Sequence, residues 1–216
     1  MNLYNGQAEQ DKFILSILKG KKNGYFLEIG SNDPIHINNT YLLEKKYNWK
    51  GIMIEYNDYF LPFYKQHRTN SIHIIKDATM IDYKHLLDTN NMPSNIDYLQ
   101  IDLEPSNGST IQTLEKLNNE IFNTYKFATI TFEHDIYCTN FGNTRQKSRE
   151  ILNNKGYFCV FTDIHNVKPE YVYEDWYVHP DLVDMEYIKQ LQEKNNKNYV
   201  FNSITQKSIN WQDIEY

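Results

Sequence analysis

Two short stretches concentrate groups that could move a proton or hold a cation. Ile101-Asp102-Leu103-Glu104-Pro105 and Phe132-Glu133-His134-Asp135 each close an apolar run, and together they offer four carboxylates and one imidazole. Carboxylates crowded in a drying site cannot all ionise unpaired, because like charge raises one pKa or recruits a cation. Asp102, Glu133 and Asp135 could therefore supply a general base, or they could hold a hard cation such as Mg²⁺, which oxygen ligands suit. His134 is the one histidine flanked by acids and could itself be the base, oriented by Glu133 or Asp135. Lys126 and Arg145 are the cations that could neutralise the acids in a purely structural arrangement. Alternation along a strand sends successive side chains to opposite faces and could remove one or two members.

A third stretch has the spacing of a nucleoside site. The run Tyr25–Ile29 leads into Glu28-Ile-Gly30-Ser31-Asn32-Asp33-Pro34, and a second run ends at Ile54-Glu55. An acid closing the second strand of a βαβ unit, roughly 20 residues or more beyond the glycine, can accept both ribose hydroxyls. A dinucleotide site cradles its pyrophosphate on three glycines, whereas only Gly30 is present and acids flank it. S-adenosylmethionine carries a sulfonium and an ammonium and no phosphate, so the loop suits it better than NAD. The expected contacts are Glu28, Gly30, Ser31, Asn32, Glu55 and Asp102. Asp77 and Ala78 follow a third run at the rim, where Asp77 either meets an adenine amine or caps a helix.

Parallel strands would bring these stretches together. β-formers recur at Tyr25–Ile29, Gly51–Glu55, Ile72–Ile75, Ile96–Ile101, Phe127–Phe132 and Tyr157–Thr162. Segments of helical spacing lie between them, at Thr40–Tyr47, Tyr59–His67, Tyr83–Leu87, Ser109–Leu117 and Thr144–Asn153. This alternation predicts an α/β fold with a doubly wound, mostly parallel sheet. Tyr171–Val178 reads as a seventh strand, followed by a helix from Met185 to Asn195. A last strand inserted antiparallel would complete the class I methyltransferase layout. The opening segment Gln7–Leu18 has its apolar residues Phe13, Ile14, Ile17 and Leu18 on one face. That leaves Gln7 and Asp11 free to face a ligand, with the helix covering the cofactor site. Tyr41-Leu-Leu-Glu-Lys45 matches the Tyr-x-x-x-Lys pair of short-chain dehydrogenases but follows the first strand, where that pair does not act.

Composition narrows the function classes. The 216 residues carry 22 Lys+Arg against 28 Asp+Glu, a net charge of −6, which disfavours nucleic acid and anionic lipid as partners. The chain fits one domain spanning 1–216, with no repeat and no linker-like stretch. No apolar stretch reaches the ~20 residues of a membrane span, and two cysteines point to a reducing, cytoplasmic setting. Self-association into a homo-oligomer is left open.

Taken together, these stretches resemble the FkbM-type S-adenosylmethionine-dependent methyltransferases. The resemblance runs through Gly6–Phe13, Tyr25–Asp33, Asn39–Glu44, Asn48–Glu55, Ile96–Glu104, Ile130–Asp135, Thr144-Arg145 and Gly156-Tyr157. It implies cofactor contacts for the glycine loop, Asn39 and Glu55. It implies a functional place for Asp102 and for Glu133-His134-Asp135; Gln7, Asp11, Glu104 and Arg145 are the residues expected to meet the acceptor. O-methylation of a sugar hydroxyl, on a nucleotide sugar or a surface glycan, is the implied activity; an amino-sugar nitrogen or a silent binding domain are the rivals. Pro34 and Pro105 stand where that family has glycine.

Overall fold

A computed structural model describes residues 4–138, 141–165 and 170–194. The strands are β1 (Tyr25–Ile29), β2 (Lys50–Glu55), β3 (Ser71–Ile75), β4 (Asn95–Ile101), β5 (Lys126–Glu133), β6 (Phe158–His165) and β7 (Val172–Val178). They form one sheet in the order β3-β2-β1-β4-β5-β7-β6. The pairings among β1 to β5 are parallel, and β7 lies antiparallel between β5 and β6. The alternation of runs predicts the doubly wound parallel part of this sheet, and the antiparallel β7 matches the class I methyltransferase layout expected by analogy. Each strand falls within three residues of its expected bounds.

The helices are α1 (Gln10–Ile17), α2 (Tyr41–Tyr47), α3 (Leu61–His67), α4 (Tyr83–Thr89), α5 (Ser109–Glu120), α6 (Thr144–Asn154) and α7 (Met185–Lys194). Asn195, the expected end of the last helix, lies outside the described residues. Alternation along the strands divides the core in two. Leu27, Ile54, Leu99, Ile130 and Phe132 face Leu87 of α4, Leu114 of α5 and Leu152 of α6. Phe26, Met53, Tyr98 and Trp176 face Ile14 of α1, Leu43 of α2, Tyr64 of α3 and Ile188 of α7. No helix among the described residues is long and apolar enough to cross a membrane.

The second face carries a row of polar residues at the strands' carboxyl ends. Register aligns Glu28 with Gln100, Gln100 with Thr131, and Glu133 with Glu174. Their partners come from the same face: Asn39 Nδ2 donates to Gln100 at 2.9 Å, and Gln10 Nε2 and Trp176 Nε1 donate to Glu174 at 2.9 and 2.7 Å. Burial raises the Glu174 carboxyl to about 8, against the donors around it. A carboxyl raised on folding favours the protonated native state. Its contribution is complete below the ordinary carboxylate range near ~4 and is lost as pH rises through 8. Glu174→Gln should therefore raise the melting temperature at pH 8.5 and leave it little changed at pH 4.5. Parallel pH–melting profiles for both proteins would show the idea wrong.

α1 begins at Gln10, three residues later than the pattern predicts. Glu9 is left-handed at φ 67°, and the Asp11 carboxylate accepts the Asn5 and Gly6 amides at 2.7 and 3.3 Å. Those bonds hold residues 5–9 as a non-helical strap, and Asn5 Nδ2 ties the strap to the Ile35 carbonyl at 2.9 Å. Asp11 is wholly buried in this work, and burial raises its carboxyl to about 6. The expectation that Asp11 faces a ligand is thus corrected. Gln7 is exposed, and α1 rests its Phe13 ring on Trp176 at 4.7 Å.

Candidate functional site

The carboxyl ends of β1, β2, β3 and β4 open on one cleft of about 720 Å³. Gly30, Asn32, Glu55, Asp77, Ala78, Asp102 and Glu104 line it, with Tyr56, Phe60 and Leu103. Six of the nine residues expected to touch a cofactor are therefore gathered there. The other three are elsewhere. Glu28 is wholly buried and accepts from Thr40 Oγ1 at 2.9 Å, Ser31 is buried against the Glu28 and Ile54 carbonyls, and Asn39 is buried against Gln100.

Local chemistry fixes the cleft. Gly30 sits at φ 86°, and a Cβ there would come within 1.6 Å of the Asp102 carbonyl oxygen. The glycine is thus required by the approach of β4, independently of any ligand. The loop's amides are already engaged: Gly30 and Ser31 donate to the Ile54 carbonyl at 2.9 and 3.1 Å, and Ile35 and His36 donate to Asp33 at 2.8 and 2.7 Å. No amide of that set is free to cradle a phosphate. Glu55 accepts the Asn32 and Asn57 amides, one on each oxygen, at 2.9 Å. Each carboxylate oxygen keeps a further lone pair for a hydroxyl in the cleft. Asp77 Oδ1 caps the turn at Thr79, and Glu104 Oε1 caps the turn opened by Pro105. Both acids do this while lining the cleft, so capping and contact coexist.

The loop from Gly30 to Thr40 is anchored from beneath by Arg68, which is wholly buried. Its guanidinium donates to Glu44 at 2.9 Å, Asn38 Oδ1 at 2.9 Å, the Pro34 carbonyl at 3.3 Å and Thr40 Oγ1 at 2.5 Å, with Glu28 at 4.0 Å. Tyr64 adds a short hydrogen bond to the Asn32 carbonyl.

Asp102, Glu133 and Asp135 do converge. Glu133 lies close enough to both aspartates for each to perturb its carboxyl. Burial is the main cause that raises all three, and the neighbouring carboxylates raise Glu133 further, well above its ordinary range. Like charges this close retain a proton among them, and the pull toward the protonated form is strongest at Glu133. Asp135 is left-handed at φ 44°, held by its amide on the Tyr173 carbonyl at 3.0 Å. Its Oδ1 is buried without a hydrogen-bond partner, and so is the Tyr173 hydroxyl. Among the described residues no lysine or arginine pairs with this trio: Lys126 pairs with Asp181 and Arg145 with Asp163, each at 2.6 Å.

His134 departs from expectation. Alternation turns it to the opposite face from Glu133, where it is wholly buried. Its Nε2 lies 3.6 Å from Asp175 and 3.8 Å from Asp163, not beside Glu133 or Asp135. An imidazole so enclosed cannot touch an acceptor, and its role as base is corrected on that ground. His134, Asp163 and Asp175 are also the group of described residues whose ligand atoms fall within 4.8 Å of one another, in place of the expected Asp102, Glu133 and Asp135. Its cation is already present: Arg149 reaches Asp163 at 2.8 Å and Asp175 at 2.7 Å. Burial alone would raise Asp175, but Arg149 and His134 overcome it and hold that carboxyl far below the usual range. Arg145 joins the same network and lines a separate cleft of about 680 Å³ with Arg149, Tyr157 and Tyr177. It does not line the cleft of Glu55.

No protein-family model matches the chain, and no curated protein matches it. Solved structures do. A Clostridium thermocellum protein described as an rRNA methylase superposes with a TM-score of 0.53 at 14% identity, over 82% of this chain and 99% of that one. A Streptococcus mutans protein described as a SAM-dependent methyltransferase superposes with a TM-score of 0.54 at 9% identity, over 78% of this chain and 47% of its own length. At such identities the likeness is one of fold, and with the strand order above it gives the chain the Rossmann-like fold of class I methyltransferases.

Proposed function

We propose that this chain is an S-adenosylmethionine-dependent methyltransferase acting on a sugar hydroxyl. The observation that carries the reading is the cleft that joins Glu55, at the end of β2, to Asp102, just beyond β4, beside a first loop whose Gly30, Ser31, Asn32, Ile35 and His36 amides are already engaged. The donor and acceptor set fits the cofactor: acceptor-only carboxylates at Glu55 and Asp77 suit hydroxyls and an exocyclic amine, and Asp102 suits a cation. When bound, the cofactor supplies a methyl group on an electrophilic sulfonium.

The chain's own residues supply the rest. A sugar hydroxyl is a poor nucleophile until its proton has somewhere to go. Asp135, a partly exposed carboxylate just beyond β5, accepts that proton. Glu133, raised well above its ordinary range, keeps its carboxyl proton and can share it with one aspartate at a time, and burial makes Asp135 a stronger base than a free carboxylate. Mg²⁺ has no part in this account. The test is incubation with methyl-labelled S-adenosylmethionine and neutral glycans, reading the linkage by mass spectrometry. Label in a methyl ether supports the reading. Label on nitrogen, or none above a protein-free control, contradicts it.

A further inference from the structure

Beside the carboxylate trio the surface is aromatic. Tyr137 and Tyr171 meet edge to face, with ring centroids 5.3 Å apart and planes at 72°, and they are 47% and 44% exposed. Tyr137 lies two residues beyond Asp135, and Tyr171 two residues before Tyr173, the buried tyrosine whose hydroxyl lacks a partner. Phe141 completes the rim. Its ring packs on Gly108, at the start of α5, where a Cβ would come within 2.4 Å of it. Asn107 and Ser109, on either side of that glycine, line the cleft.

Among the described residues, acids cluster at this mouth. Asp102 and Glu104 line the cleft, Asp135 and Glu133 neighbour them, and among the described residues no basic side chain forms an ion pair with any of the four. In α6, Arg145 and Arg149 are committed to Asp163 and Asp175, and Lys147, whose Nζ lies beside Gly142, pairs with Glu115 at 3.8 Å. The Tyr137 hydroxyl and Cys138 thiol are raised by burial first and then by Asp135 and its neighbouring acids, as a negative field requires. A phosphate would be repelled here. A pyranose fits both halves of the surface: its C–H face can lie on a tyrosine ring, while its hydroxyls can donate to carboxylates that only accept.

We propose that Tyr137 and Tyr171 form the platform on which an uncharged glycosyl unit of the acceptor rests, its hydroxyls turned toward the Asp135 carboxylate, and that this mouth refuses phosphate-bearing acceptors. The proposal rests on the sugar-methylating reading and narrows it, favouring a glycan over a nucleotide sugar or RNA. Specificity of this kind comes as much from repulsion of the wrong partner as from attraction of the right one.

Saturation-transfer NMR on the full chain with S-adenosylhomocysteine present tests it. Lactose, cellobiose and mannobiose are the neutral probes; UDP-glucose and a short single-stranded RNA are the phosphate-bearing ones. At least one neutral disaccharide should receive signal. Its affinity should fall about tenfold in Tyr137→Ala and Tyr171→Ala and persist in Tyr137→Phe and Tyr171→Phe, which keep the ring. UDP-glucose and RNA should bind more weakly than that disaccharide. The proposal is overturned if no neutral sugar binds, if the alanine variants bind as the wild type does, or if a phosphate-bearing probe binds more tightly. Calorimetry with S-adenosylhomocysteine on the same samples separates the two readings. Loss of that heat with the sugar pattern intact removes the methyl donor and leaves the platform standing, and the reverse result removes the platform alone.

Discussion

Asp135→Asn will lower the rate of methyl transfer by a factor of about 10² to 10⁴, the contribution of a positioned general base. The substitution preserves shape and removes the partly exposed carboxylate that takes the proton. Glu133→Gln should cost less than tenfold, because an amide still donates where the protonated Glu133 does. The two variants together separate a base from a mere polar wall. Single-turnover rates under saturating donor and acceptor read the difference, and equal losses in both would remove the assignment of the base to Asp135. The pH profile adds a second reading. Asp135 must be ionised to accept a proton, and burial raises it, so the acidic limb of the rate profile should lie above the usual carboxylate range near ~4.

Arg68→Met will destabilise the protein by about 3–5 kcal/mol, the usual cost of stripping the partner from buried charge. Glu28 and Glu44 are both wholly enclosed beside it, and no other guanidinium or ammonium replaces it at Glu28 among the described residues. For a chain of this length the melting temperature should fall by roughly 10 °C. The loop from Gly30 to Thr40 should loosen at the same time, since Arg68 holds the Pro34 carbonyl and Asn38. Adding Glu44→Gln should recover part of the loss, because the residue left behind is then neutral. Denaturant midpoints for the three proteins check this; an unchanged midpoint in Arg68→Met contradicts the anchoring role.

The layout of the site was legible in the sequence where one rule sufficed. Strand-end acids gather at the carboxyl edge of a parallel sheet, so Glu55, Asp77 and Asp102 could be placed from the runs that precede them. Glu133 and Asp135 met Asp102 because β4 and β5 are neighbours in register. His134 was misjudged because a strand's last residue settles which face its successor takes, and composition does not fix where β5 ends. Asp163 and Asp175 became its neighbours only through the antiparallel pairing of β6 and β7, with register shifts between Phe161 and Ile164. Arg68 carried no signal at all. An arginine at the end of a short helix is ordinarily solvated, and only the polar loop folding over it from Pro34 to Thr40 makes it a core residue. Tyr137 and Tyr171 were obscured for the opposite reason, since 18 tyrosines leave no single pair conspicuous.

Isothermal calorimetry with S-adenosylhomocysteine, on the wild type and on Glu55→Ala, bears most directly on the central claim. The account predicts one site per chain in the wild type. Affinity should be weakened by one to two orders of magnitude in Glu55→Ala, where two ribose hydroxyls lose their acceptor, and NAD should give no heat in either protein. No heat from S-adenosylhomocysteine in the wild type, or equal affinity in the two proteins, would contradict the assignment of this cleft.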